Sequence, residues 1–180
     1  MAKTAIIIGA TGLTGSLLLQ GLLEDNRYQK IKLFSRKSCN IKHPKIEEYL
    51  VDLFELEKQQ HLFIADEVFC CIGTTKAKTP NEEQYLKIDY AIPAALARLC
   101  RKMGIPTFLV ISALGANKKS KIFYNRTKGR MEEEVLRNKI KNTYILQPSL
   151  IGGSRNEKRL GEKIAKLFMS ILNPFLILII

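Results

Sequence analysis

The sequence predicts a doubly wound α/β fold, a parallel sheet with helices on both faces in three layers, and three observations carry that expectation. Short apolar runs alternate with longer segments of helical period. The runs are continuously apolar, as in sheets buried on both faces, where right-handed crossovers place helices on either side. At 180 residues the chain has the length of one domain, so a single domain over 1–180 is expected.

Taken in order, Ala5 to Ile8 is the first strand and Leu13 to Leu23 the first helix. Ile31 to Phe34 follows as a strand, then a weaker one at Ile46 to Val51 and a fourth at Glu67 to Ile72. Ala91 to Arg101 reads as a helix that opens after Asp89 and ends at Gly104, with Pro106 beyond. Thr107 to Ile111, a helix over Arg130 to Asn138, and Thr143 to Leu146 complete the pattern. Ligands of such a sheet bind beyond the carboxyl ends of the strands, where strand order reverses.

Composition narrows the classes. With 46% hydrophobic and 26% charged residues the chain is globular, which excludes disorder and collagen-like repeats. A net charge of +12 favours anionic ligands or acidic partners without choosing among them. The basic residues are scattered, and the densest stretch, Lys118 to Lys141, also holds Glu132, Glu133 and Glu134, as a solvated face does. Zinc fingers and an RNP-type aromatic strand are missing, so specific nucleic-acid binding is not expected. Cys39, Cys70, Cys71 and Cys100 lack zinc spacing; no metal site is expected, and reduced thiols suit a cytoplasmic protein. The first fifteen residues have no secretion signal, and the apolar run Phe175 to Ile180 is too short to span a bilayer.

Directly after Ile6, Ile7 and Ile8 comes GATGLTG, with Gly9, Gly12 and Gly15 spaced three apart. Gly9 lets the chain turn off the strand, Gly12 removes a side chain that would keep a pyrophosphate from the backbone, and Gly15 lets the helix lie close to the sheet. Unpaired N–H groups and about half a positive charge at the helix N-terminus suit a dinucleotide. The loop lacks the Gly-Lys-Ser/Thr ending of an ATPase. Where NAD-preferring sites carry an acid after strand two, this chain has Ser35, Arg36 and Lys37. A guanidinium at Arg36 can bind a 2′-phosphate through paired hydrogen bonds with Ser35 as a further donor, so NADP(H) is the expected cofactor. Asp52 in VDL, with Leu53 beside it, is the expected adenine contact. Gly73 in CCIGTT lets the backbone pass near the adenosine ribose, where Thr74 and Thr75 offer hydroxyls.

Strand five delivers Ser112 at its carboxyl end, and twelve residues later Tyr124 begins Y-N-R-T-K, with Lys128 four positions on. Positions i and i+4 share a helix face. A phenol ordinarily titrates near 10, so an adjacent ammonium makes it a better proton donor or base. The expected chemistry is hydride transfer to a carbonyl carbon while Tyr124 protonates the alkoxide, Ser112 hydrogen-bonds the same oxygen and Lys128 holds the nicotinamide ribose.

These motifs resemble the short-chain dehydrogenase/reductase superfamily, in its atypical branch with GATGxTG, S…YxxxK and a Pro after strand six. More narrowly the chain is similar to the Tat-interacting-protein oxidoreductase group and its bacterial relatives, through CIGTT at Cys71 to Thr75, SALGA at Ser112 to Ala116, YNRTKGRMEEEV from Tyr124 and RNEKRLGE at Arg155 to Glu162. The resemblance implies a Rossmann fold and NADPH binding. It assigns Ser112, Tyr124 and Lys128 as the triad and Gly9, Thr11, Gly12, Leu13, Thr14, Arg36 and Lys37 as cofactor positions. The chain departs from the group at Gln147-Pro148, where Arg-Pro is common, and at Ile180, where relatives continue; the C-terminal part of the domain is expected to be missing.

The leading expectation is an NADP(H)-dependent oxidoreductase acting on a small carbonyl or hydroxyl compound. The alternative is a non-catalytic NADPH sensor that meets a protein partner; a homodimer fits either.

Overall fold

Six strands, β1 (Lys3–Ile8), β2 (Tyr28–Ser35), β3 (Ile46–Leu50), β4 (Glu67–Cys70), β5 (Thr107–Ile111) and β6 (Asn142–Leu146), pair in parallel in the order β3-β2-β1-β4-β5-β6. The structure is a computed structural model and describes residues 2–149. The stretches Arg155 to Glu162 and Phe175 to Ile180 lie outside the described residues. Strand order reverses between β1 and β4, and the register sets Ile8 beside both Phe34 and Cys70, and Cys70 beside Val110. The strands therefore finish at one level, and the residues that follow them share one edge of the sheet.

Alternation along each strand fills two cores. One face carries Ile6, Ile8, Phe34, Val68, Cys70, Phe108 and Val110. The opposite face carries Ala5, Ile7, Ile31, Leu33, Phe69 and Leu109 against Leu18, Leu19 and Leu22 of helix α1 (Leu13–Glu24). Each such Leu or Ile, fully buried, contributes about 1.5–3 kcal/mol, so both faces need cover. The first face is covered by α3 (Ile92–Lys102) and α4 (Phe123–Arg137), through Leu96, Leu99, Met131 and Val135.

Two elements escape the hydrophobic pattern. A 3₁₀ helix spans Leu56–Leu62, and its end is tied to the sheet where Lys32 Nζ donates to the Leu62 carbonyl at 2.9 Å. Ahead of α3 lies a short helix, α2 (Glu82–Leu86), started by Asn81, whose Oδ1 accepts from the Gln84 N–H at 2.9 Å. Lys87–Ala91 joins α2 to α3 as a π turn, with the Ile92 N–H reaching the Lys87 carbonyl. Pro93 explains the widening, because its ring has no N–H for the Asp89 carbonyl and crowds it in a regular helix. The turn sends the Asp89 side chain inward, where it is buried. Helix α4 starts at Phe123, earlier than the expected Arg130, and so takes in the whole YNRTK stretch.

Candidate functional site

The phosphate loop is assembled by close backbone packing. Gly9 has φ +94°, and a Cβ on it would lie 2.9 Å from the Cys71 backbone. At Gly15 a Cβ would come within 2.1 Å of the Gly9 carbonyl oxygen, so α1 sits where only glycine allows it. The Gly12 N–H donates to the Gly9 carbonyl at 3.0 Å and closes the turn. Gly12 caps α1 without a side-chain hydrogen bond, and the first turn holds no acid. Its N–H groups thus face outward beside exposed Thr11 and Leu13 and half-buried Thr14. Tight glycines beneath and an open helix N-terminus above fit a dinucleotide pyrophosphate.

Beyond β2, Arg36 and Lys37 are exposed. Ser35 differs from expectation: it is buried, and its hydroxyl donates to the Lys37 carbonyl at 2.7 Å, so it shapes the turn that holds the two cations out. Asp52 is exposed and accepts the Phe54 N–H at 2.9 Å, while Leu53 is buried and lines a hollow of about 390 Å³ shared with Ala95 and Arg98 of α3. A Cβ at Gly73 would meet only Asp89 Oδ1, at 3.7 Å, so its glycine keeps the surface low and relieves no clash. The hydroxyls expected to face a ribose are tied into their own loop, Thr74 Oγ1 to Thr79 Oγ1 at 2.9 Å and Thr75 Oγ1 to the Lys78 N–H at 3.3 Å.

Across the strand reversal, Asp89 joins three elements. Its Oδ2 accepts the Thr74 N–H at 2.7 Å, in the loop after β4, and its Oδ1 stands 2.8 Å from Lys128 Nζ on α4. Lys128 Nζ also donates to the Ile111 carbonyl at 3.3 Å, at the end of β5. Oδ1 accepts no hydrogen bond among the described residues, so its link to Lys128 is an ion pair without a well-aligned N–H. Tyr124 lies one turn earlier on α4 and is 41% exposed. Beside it the Tyr85 hydroxyl donates to the Thr74 carbonyl at 3.2 Å, and its ring meets Phe123 edge-on at 5.5 Å. Burial, then the charge of Asp89 and the neighbouring Tyr124 phenol, push the Tyr85 phenol up. Along one helix, Tyr124 is thus open to solvent while Lys128, one turn further on, is buried against Asp89.

Ser112 departs from its expected role. It is 3% exposed and its hydroxyl donates to Oε1 of Glu132, the same oxygen that accepts Gln147 Nε2 at 2.8 Å. A serine hydroxyl has one proton, so as arranged Ser112 has none for a substrate oxygen. Asp89, Glu132 and Tyr85 are the site residues that sequence reasoning missed. Pro93 signalled the turn that aims Asp89, and the spacing Lys128 to Glu132 repeats that of Tyr124 to Lys128.

Fold and site together define a dinucleotide-binding protein with a Rossmann sheet. The model of a family described as NAD(P)H-binding matches residues 9–163, and the chain belongs to that family. Within it the chain falls in the atypical short-chain dehydrogenase/reductase group that includes HTATIP2. It is 29% identical to Protein HTATIP2 of Rattus norvegicus, over 94% of this chain and 72% of that protein. It is 33% identical to the mitochondrial protein fmp52 of Aspergillus fumigatus, over 90% of this chain and 72% of that protein. Among solved structures it is similar to Pen from Bacillus thuringiensis, with a TM-score of 0.72 and 17% identity over 87% of this chain and 53% of that one. A UDP-glucose 4-epimerase of Thermotoga maritima gives 0.66 and 16%, over 80% and 54%. The chain thus spans about half the length of these structures, which share its fold.

Proposed function

We propose that the chain is an NADP(H)-dependent oxidoreductase acting on a small carbonyl or hydroxyl compound. The open N-terminus of α1 above Gly9 and Gly15 holds the pyrophosphate, and Arg36 with Lys37 binds the 2′-phosphate. When bound, the nicotinamide supplies or accepts a hydride. Tyr124 holds the proton exchanged with the substrate oxygen, and Lys128, fixed by Asp89 and the Ile111 carbonyl, lies one turn below it to bind the ribose and bias the phenol. The observation that carries this reading is the Asp89 junction, which ties the loop after β4, the end of β5 and the Tyr-Lys helix together at the carboxyl edge of the sheet.

The experiment is NADPH consumption over a panel of small aldehydes and ketones. Turnover that falls at least 100-fold in Tyr124→Phe, with cofactor affinity retained, supports the enzyme. Tight NADPH binding without turnover supports a sensor instead. That second reading draws on the inward pairing of Ser112 with Glu132 and Lys128 with Asp89. The free thiols of Cys39, Cys70, Cys71 and Cys100 suit a cytoplasmic location; the fungal relative is named mitochondrial, and cell fractionation decides.

A further inference from the structure

We propose that Glu132 is a positioning residue for the Tyr124–Lys128 face of α4, acting through Ser112 at the end of β5 and Gln147 just beyond β6. The idea deepens the oxidoreductase reading and rests on it for its kinetic readout alone. Oε1 of Glu132 accepts from both Ser112 Oγ and Gln147 Nε2. An amide N–H can only donate, so this oxygen is the acceptor, and the Ser112 proton points at it. The Ser112 N–H in turn donates to the Leu146 carbonyl at 2.7 Å, so one small network closes β5, β6 and α4 on each other.

Helix α4 has a first anchor near Lys128. Lys128 reaches the Ile111 carbonyl, and a Cβ at Gly129 would lie 2.3 Å from the backbone of Asn117 and Lys118. That contact sets how deeply the helix sits, while Met131 and Val135 seat its inner face in the core. Glu132 adds a polar anchor one turn beyond Lys128, toward the ends of β5 and β6. Tyr124, Lys128 and Glu132 are spaced by four and share a face, so holding Glu132 fixes the direction in which Tyr124 projects. A misplacement of about 1 Å at a reacting group costs on the order of 100-fold in rate. Both donors to Glu132 are neutral, so the role needs an accepting oxygen and not a charge.

The test uses the full chain with ¹³C-labelled tyrosine, the Tyr124 resonance assigned through Tyr124→Phe, alongside NADPH turnover. Glu132→Ala is expected to move the Tyr124 resonance and lower kcat at least tenfold with the KM for NADPH within threefold. Glu132→Gln keeps the accepting oxygen and is expected to restore both. Ser112→Ala breaks the same link with a smaller change and reports if Glu132→Ala does not fold. The double variant is expected to be no worse than the worse single one. An unmoved Tyr124 resonance in Glu132→Ala and Ser112→Ala, or a Glu132→Gln variant as impaired as Glu132→Ala, overturns the proposal. Losses that multiply in the double variant also overturn it, because Ser112 then meets the substrate independently. If the wild type turns nothing over, the oxidoreductase reading fails, and the resonance still decides the role of Glu132.

Discussion

Lys128 Nζ lies 2.8 Å from Oδ1 of Asp89, and the two side chains keep only 4% and 1% of their surface exposed. Two charges this deep hold each other in place, and either one alone is left without compensation. Removing one partner of a buried pair typically costs about 3–5 kcal/mol, whereas replacing both with apolar groups is often neutral. Asp89→Ala is expected to destabilise the fold by that amount. Asp89→Leu/Lys128→Met is expected to recover at least half of the loss. Urea unfolding measures both, and a double variant as unstable as Asp89→Ala would show that the pair is not the cause.

Gly15 and Gly129 each sit where a side chain would strike backbone, at 2.1 Å and 2.3 Å. Alanine at either is expected to cost about 1–3 kcal/mol through overpacking. The effects on cofactor should differ. Gly15→Ala shifts α1 off the phosphate loop and is expected to weaken NADPH at least tenfold, while Gly129→Ala, which displaces α4 with Lys128 and leaves the pyrophosphate loop in place, is expected to weaken it less. Melting curves and fluorescence titration check the pair; equal loss of affinity in both would place the pyrophosphate elsewhere.

Arg36 projects beyond β2 in the exposed turn shaped by Ser35. A charge-assisted pair with a 2′-phosphate is worth about 1.5–3 kcal/mol, so Arg36→Ala is expected to raise the NADPH dissociation constant at least tenfold. NADH lacks that phosphate, and its affinity should stay within threefold. Equal weakening of both nucleotides would refute NADP(H) preference.

Burial pushes the Cys70 thiol up to about 12 and raises the Cys100 thiol and the Tyr28 phenol above their ordinary values. Between the ordinary and the folded values the unfolded chain has lost protons that the folded chain keeps, so stability falls as pH rises. Below about pH 8 both states hold them and the contribution is constant. Lys32 works the other way, since burial lowers its ammonium and favours the fold as pH approaches 10.5. Several buried acids oppose one base. The expected net result is a urea midpoint flat from pH 7 to 8 and falling by pH 10 under reducing conditions, by at least about 1 kcal/mol. A midpoint that holds or rises to pH 10 would contradict it.

Ser35 shows where sequence reasoning stops. Its position at the end of strand two was legible, but whether its hydroxyl faced a ligand or the Lys37 carbonyl depended on the path of the turn. Ser112 was likewise placed correctly at the end of β5, and its proton went to Glu132, a residue twenty positions away that the fold alone brings near.

Period, glycine spacing and strand-end chemistry were enough to define the α/β sheet and the glycine turn after β1, while helix α4 was legible only from Arg130 onward and begins at Phe123. Those features are local, because apolar runs, positive φ at Gly9 and i,i+4 neighbours follow from adjacent residues. The partners of Lys128, Ser112 and Thr74 came only with the tertiary structure. A π turn imposed by Pro93 aimed Asp89 inward, and a second helical turn of α4 carried Glu132 to the strand ends. A hydrogen bond forms with whichever group the folded chain sets within about 3 Å, and that distance bears no relation to separation along the sequence.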